Sequence, residues 1–339
     1  MRYVSTKELD KCLDRIQRRN ELPNRIINIE FRLLLPIVVV GSIVMLLLSK
    51  GSFLRFVLLQ AAMLVVYLAV SFLLALIVSI ASTKRLLRRI SGGKSQNKAG
   101  QAFYQKYKDY YQLHKNDLCS DKLLEETERL LQAETDPALR FSLDESLLTI
   151  CGYRLERERV SQCLEDARRD YDPEKNSRFG LLTAEINAAI LTGNSKAAYD
   201  LLEKNEELTE WQISFLPEGV TDYAIFASIC KRVEGDLAAA LEYAQAAKAL
   251  HERGRNILPL GASPTRTEHE NYRRAAISLE LAGLLFANGR EQEARAELDD
   301  CDLIIADLKC EVPPLFIKEH QELIESMGPA LPEDQEQDC

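Results

Sequence analysis

The side chains able to do chemistry are sparse in this chain, and their spacing builds no recognisable site. Four histidines, His114, His251, His269 and His320, stand far apart, and none falls in a metal-ligating or nucleophile-activating motif. Eight cysteines, Cys12, Cys119, Cys151, Cys163, Cys230, Cys301, Cys310 and Cys339, include no CxxC pair. That argues against zinc and fits free thiols in a reducing compartment. Gly93-Lys94-Ser95 ends like a phosphate-binding loop, yet the glycine required five residues earlier is Arg88, and an apolar helix rather than a strand precedes it. Acidic pairs such as Glu125-Glu126 and Asp299-Asp300 read as solvated helix faces. No catalytic residue, metal site or cofactor is expected, and the chain reads as a non-enzyme.

The elements themselves are far more legible. Leu33 to Leu48 and Phe56 to Ala81 are apolar runs of 16 and 26 residues with no ionisable group except a tyrosine. A helix is the structure that satisfies such backbone in lipid, so the spacing predicts a transmembrane helical hairpin over residues 31–90. The first run reaches across only if Arg32 and Lys50 extend to the headgroups. Basic residues crowd the outer ends, Arg15 to Arg32 before the first run and Lys84 to Lys98 after the second, while only Lys50 and Arg55 lie between. The positive-inside rule places both termini in the cytoplasm, and a bacterial inner membrane suits the compact anchor. Ser71, Ala75 and Ser79 share one small-residue face, which packs against the first run near Gly41 or brings two copies together as a homodimer.

Charge divides at the same place. Residues 1–98 carry 16 Lys+Arg against 5 Asp+Glu, and the remaining 241 carry 27 against 47. The basic flanks suit anionic lipid headgroups, and the strongly acidic remainder excludes nucleic acid as a natural ligand. Residues 1–30 hold an amphipathic helix opened by a Ser5/Glu8 capping box, with Leu9, Cys12, Leu13 and Ile16 on one face. It lies on the inner membrane surface or packs on the soluble domain; the sequence leaves both open. Residues 91–100 read as a flexible linker, and residues 328–339 as a disordered acidic tail.

Residues 101–327 read as helix after helix, with clear starts at Asp136-Pro137 and Asp172-Pro173. Glycines 152, 193, 235 and 289, spaced 41, 42 and 54 apart, mark hinges of paired helices, and such a period belongs to an α-solenoid. Around Gly289 stand Leu281, Ala282, Ala294, Leu298 and Cys301, and around Gly235 stand Ser228, Ala240, Ala244 and Ala247. In these residues the chain resembles the tetratricopeptide-repeat family. The match weakens around Gly193, where Ala198 and Leu202 fit but Ile186 replaces a small residue, and it is nearly lost around Gly152. The fold class is thus all-α: a transmembrane hairpin followed by a cytoplasmic, degenerate tetratricopeptide-like solenoid, with other helical solenoids as the alternative. Residues 251–268 read as an insertion, and Val312 to Met327 as a closing helix.

The resemblance implies that the first helix of each pair lines an inner groove. Ser142, Ser146, Thr149, Thr183 and Asn187 would form its polar end, and Ile225, Ile229, Leu279 and Phe286 its apolar end. Such a groove suits an extended or helical peptide, unless the chain's own closing helix fills it. The function expected is a membrane-anchored scaffold for a protein or peptide partner. The alternative is a sensory subunit whose solenoid binds a ligand and signals to a membrane partner.

Overall fold

The computed structural model describes residues 3–18, twelve residues scattered between 40 and 73, and residues 98–176, 180–205, 217–254 and 267–328. Every regular element among them is a helix. In chain order these are α1 (6–18), α2 (Lys98–Lys106), α3 (Lys108–Asn116), α4 (Asp121–Ala133), α5 (Pro137–Tyr153), α6 (Arg157–Asp170), α7 (Gly180–Leu191), α8 (Ser195–Lys204), α9 (Pro217–Val233), α10 (Leu237–Gly254), α11 (Glu268–Ala287), α12 (Glu291–Ala306) and α13 (Pro314–Met327). Contacts group the chain into two compact units. One comprises Met1–Leu13, Gly93–Asn256 and Pro264–Cys339; the other comprises Asp14–Gly92 and Ile257–Ser263.

Local chemistry sets the helix starts. Asp136 accepts from the amide of Ala138 with Pro137 in the first turn, and Thr267 and Glu270 close a full capping box on α11. The carboxylate half of that device opens α1, where the Ser5 amide donates to the Glu8 carboxylate at 3.2 Å. Asp172-Pro173 behaves otherwise. Its turn ends by Asn176, whose amide donates back to the Asp172 carbonyl, and α7 is a separate helix from Gly180. Lys98 to Gly100, expected in a linker, already belong to α2.

From α5 onward the helices pack as adjacent antiparallel pairs, α5 with α6, α7 with α8, α9 with α10 and α11 with α12, each pair also touching the next. At the last three pair turns the glycine is left-handed: Gly193 at φ 76°, Gly235 at φ 82° and Gly289 at φ 74°. Each carries the same double closure, as where the Gly289 amide donates to the Phe286 carbonyl and the Arg290 amide to the Leu285 carbonyl. In the first pair Leu155, at φ 63°, takes that place, with the Leu155 amide on the Gly152 carbonyl and the Glu156 amide on Cys151. Gly152 therefore is not the hinge. It lies inside α5, where a Cβ would come within 2.6 Å of the Leu191 side chain of α7.

The array does not stay open at its ends. α13 touches both α11 and α5, and α3 touches α11. Leu118 and Cys119, between α3 and α4, join one apolar core with α10, α11, α12 and α13. Tyr272 of α11 meets Tyr153 of α5 edge-on at 5.0 Å and Phe316 of α13 at 5.9 Å.

The start of the N-terminal segment packs with the helix pairs. Tyr3 to Leu13 belong to the same unit as the helix pairs, and Leu9 and Leu13 are fully buried, a transfer of about 1.5–3 kcal/mol each. Hydrogen bonds fix this stretch to α9 and α10 rather than leaving its apolar face for lipid.

Of the second unit, the twelve residues described between 40 and 73 are all helical. Eight large apolar side chains among them, from Val40 to Leu73, are 43–69 % exposed. Among the described residues no helix is long and apolar enough to cross a membrane. Most of the two expected spans falls outside the described residues, and Gly41, Ser71, Ala75 and Ser79 lie outside them entirely.

Candidate functional site

The expected groove residues fall into two groups. Ser142, Ser146 and Thr149 recur at helical spacing on α5, Thr183 and Asn187 on α7, and all five are half-buried on helices that touch each other. Two of the hydroxyls turn inward on their own helix, Ser146 donating to the Ser142 carbonyl and Thr149 to that of Glu145, each at 3.0 Å. Glu145 shares the strip, and loss of solvent together with neighbouring Asp144 pushes its carboxyl up to about 8. Asp144 points the other way, toward α6. It is 3 % exposed, its Oδ2 has no hydrogen-bond partner, and burial followed by Asp170 and Asp166 raises it to about 7.

At the other end the four expected residues do not share one surface: Ile225 alone lines a cavity. Ile225 is half-buried and lines an apolar cavity of about 110 Å³ with Ser228 of α9, Ala244 and Ala247 of α10, and Arg273, Ala276, Ile277 and Glu280 of α11. Ile229 is buried at 6 % exposure. Leu279, also 6 % exposed, sits in the core with α12 and α13, and Phe286 packs against that core. Tyr272, Leu279 and Phe286 are seven residues apart, so they form one stripe. The closing helix and the Leu118–Cys119 stretch cover that stripe and leave the Arg273–Glu280 face to the cavity.

Ion pairs frame the cavity. Arg232 of α9 bonds Glu280 at 3.0 Å, and Arg273 pairs with Asp222. Glu280 keeps its second oxygen, Oε1, buried without a hydrogen-bond partner. Glu319 of α13 stands near the same pair; loss of solvent and then Glu280 raise its carboxyl, with Arg232 opposing. This arrangement can take one aliphatic side chain and one hydrogen-bond donor. The α11 face was open to helical spacing, since 273, 276, 277 and 280 share it, but nothing in the sequence said which face the closing helix would cover.

A second arrangement lies where Tyr3 and Val4 meet α9 and α10. The Val4 amide donates to the Tyr223 hydroxyl at 2.8 Å, and the Tyr243 hydroxyl donates to the Val4 carbonyl at 2.9 Å. Sequence reasoning missed it, because a tyrosine that hydrogen-bonds backbone 219 residues away carries no local signal.

Two of the scattered histidines do converge. His114 of α3 stacks on His269 of α11 with centroids 4.9 Å apart. Burial, and then the His269 charge, lowers His114 to about 4, and burial lowers His269 as well. Such a pair packs as neutral imidazole. Among the described residues no group of His, Cys, Asp and Glu is arranged to hold a metal ion. No family model, curated protein or solved structure matches the chain.

Proposed function

We propose that this chain is a membrane-anchored interaction protein, whose tetratricopeptide-like helix pairs hold a protein or peptide partner beside the bilayer. The observation that carries the partner reading is the cavity between α9, α10 and α11. It is apolar, sized for a single side chain, and bordered by a buried acceptor, Glu280 Oε1, that has no donor in the free chain. The tetratricopeptide likeness draws support from burial: Ser228, Ala240, Ala247, Ala282, Ala294 and Cys301, the small residues of the resemblance, are at most 1 % exposed. The anchor reading rests on the apolar runs of the sequence, on the exposed apolar side chains from Val40 to Leu73, and on the basic flanks that meet anionic headgroups. Both termini then face the cytoplasm, at a bacterial inner membrane.

The test is crosslinking in native membranes, comparing the intact chain with Ala276→Trp, which fills the cavity. A partner crosslinked by the intact chain and lost with the folded variant supports the reading; the same proteins with both, or none with either, sinks it. Anchoring is tested separately. The chain should resist alkaline extraction from membranes, and protease added to sealed inside-out vesicles should digest residues 98–328.

A further inference from the structure

Residues 3–13 are held in the way a protein holds a peptide. The partners of this stretch lie far away in sequence, 219 and 239 residues separating Val4 from the two tyrosines that bond it. Its backbone is read directly, the Val4 amide and carbonyl being met by hydroxyls from two different helices, Tyr223 of α9 and Tyr243 of α10. Main-chain contacts of this kind are one way in which proteins recognise an extended peptide.

The side chains add an anchor and a rim. Tyr3 packs into the apolar cluster shared by α7, α8 and α9, its hydroxyl donating to Glu234 at 2.7 Å and Lys231 Nζ lying 4.0 Å from its ring centroid. An aromatic residue in a pocket, tied by its polar tip, is the usual centre of binding energy in an interface. Outside it, Thr6 donates to Glu242 at 2.7 Å, and Asp10 pairs with Arg253 at 2.7 Å. Between anchor and rim, Leu9 and Leu13 lie fully buried on one face of a helix that its own Ser5/Glu8 box initiates. The segment therefore carries its fold start, its anchor and its apolar face within eleven residues.

We propose that the α9–α10 face is a peptide-binding site and that residues 3–13 are its built-in ligand, a separable latch rather than a part of the helix-pair fold. The site is distinct from the α9–α11 cavity, and the proposal stands whether or not that cavity binds a partner. In the intact chain the latch is present at high local concentration, so a free peptide of the same sequence is excluded.

The experiment uses full-length protein in mild detergent and a fluorescent peptide of residues 1–18. A chain carrying Tyr3→Ala and Leu9→Asp, changed only in the latch, should bind that peptide at least tenfold more tightly than the unaltered chain. A peptide with Tyr3→Ala should lose at least tenfold, and so should the native peptide on a latch variant that also carries Tyr223→Phe. Hydrogen exchange of α9 and α10 is followed in parallel. The proposal fails if the latch variant loses protection across both helices, since the segment is then a piece of the fold. It also fails if the variant stays folded without binding the peptide, or if the unaltered chain binds it equally well.

Discussion

Leu155 and Gly152 are placed the wrong way round for their residue types, and both consequences can be measured. Leu155 adopts a left-handed conformation that costs a side-chain-bearing residue about 1–2 kcal/mol. Leu155→Gly should raise stability by about 1 kcal/mol, seen as a higher melting temperature. Gly152 sits in a helix interior, where alanine would ordinarily gain about 1 kcal/mol, but its Cβ would meet Cβ, Cγ and Cδ1 of Leu191 at 2.6–2.9 Å. Gly152→Ala should therefore destabilise, by about 1–3 kcal/mol. The pair accounts for only part of the lost resemblance in the first helix pair, since Leu148 and Val160 also stand where small residues are expected. Counted from Leu155 instead of Gly152, the residues seven before and five and twelve after are Leu148, Val160 and Ala167, each at most 1 % exposed. A leucine doing a glycine's work hides the hinge.

The buried ionisable groups of the same pair govern how stability follows pH. Asp144 and Glu145 have folded values of about 7 and about 8, above the ordinary 3.8 and 4.5, so the folded state holds protons that the unfolded state releases. Stability from these groups is complete in acid and lost as pH rises through the folded values. His114 works oppositely. Its folded value of about 4 lies below the ordinary 6.5, so its contribution is complete above pH 6.5 and lost as pH falls toward 4. Between 4 and 6.5 the two trends oppose; from 6.5 to 8 only the carboxyl trend remains. Denaturant midpoints should fall across that upper window, and Asp144→Asn with Glu145→Gln should flatten the slope. An unchanged slope would show that these carboxyls ionise freely.

At the scale of elements, α11 shows what periodicity can and cannot tell. Its amphipathic pattern is readable, and the buried alanines of the resemblance lie where helix pairs cross closely. Periodicity names faces without naming neighbours, however. The stripe of Leu279 and Phe286 read either as a groove lining or as a seat for the closing helix; it packs into the core that α13 shares, together with Leu118–Cys119, which the sequence did not point to. On α9 the same reasoning reached Ile225, which lines the cavity with α10 and α11, but also named Ile229, which is buried. Two alanines on α11 separate these environments. Ala276 borders the cavity, so Ala276→Leu should fill it and stabilise by about 0.5–2 kcal/mol. Ala282 is 0 % exposed at the core, so Ala282→Leu should overpack it and cost about 1–3 kcal/mol. Similar melting temperatures for the two variants would mean that the two faces are not distinguished as described.

At the scale of the whole chain, the folded unit that carries the helix pairs is discontinuous in sequence, built from residues before 14 and after 92. Composition marks nearly the same division, basic and apolar before residue 98 and acidic after it. What the sequence could not reveal is that the N-terminal segment crosses back to join the acidic part. Replacing residues 19–97 with a Gly/Ser linker tests both statements at once. A linker of about 30 residues has a typical end-to-end distance on the order of 30 Å, enough to let α1 find its seat without dictating the path. The excised chain should be recovered without detergent as a helical monomer. Its Val4 and Leu9 amides should be protected from exchange, since the contacts of residues 3–13 with α9 and α10 are all retained. If residues 19–97 hold the proposed anchor, the excised chain should also be absent from membranes in which the intact chain is found. If the excised chain stays with membranes, the apolar runs are not the anchor. If it leaves them with α1 unprotected, the seat on α9 and α10 depends on residues 19–97, and the division into units drawn from contacts does not correspond to independent folding.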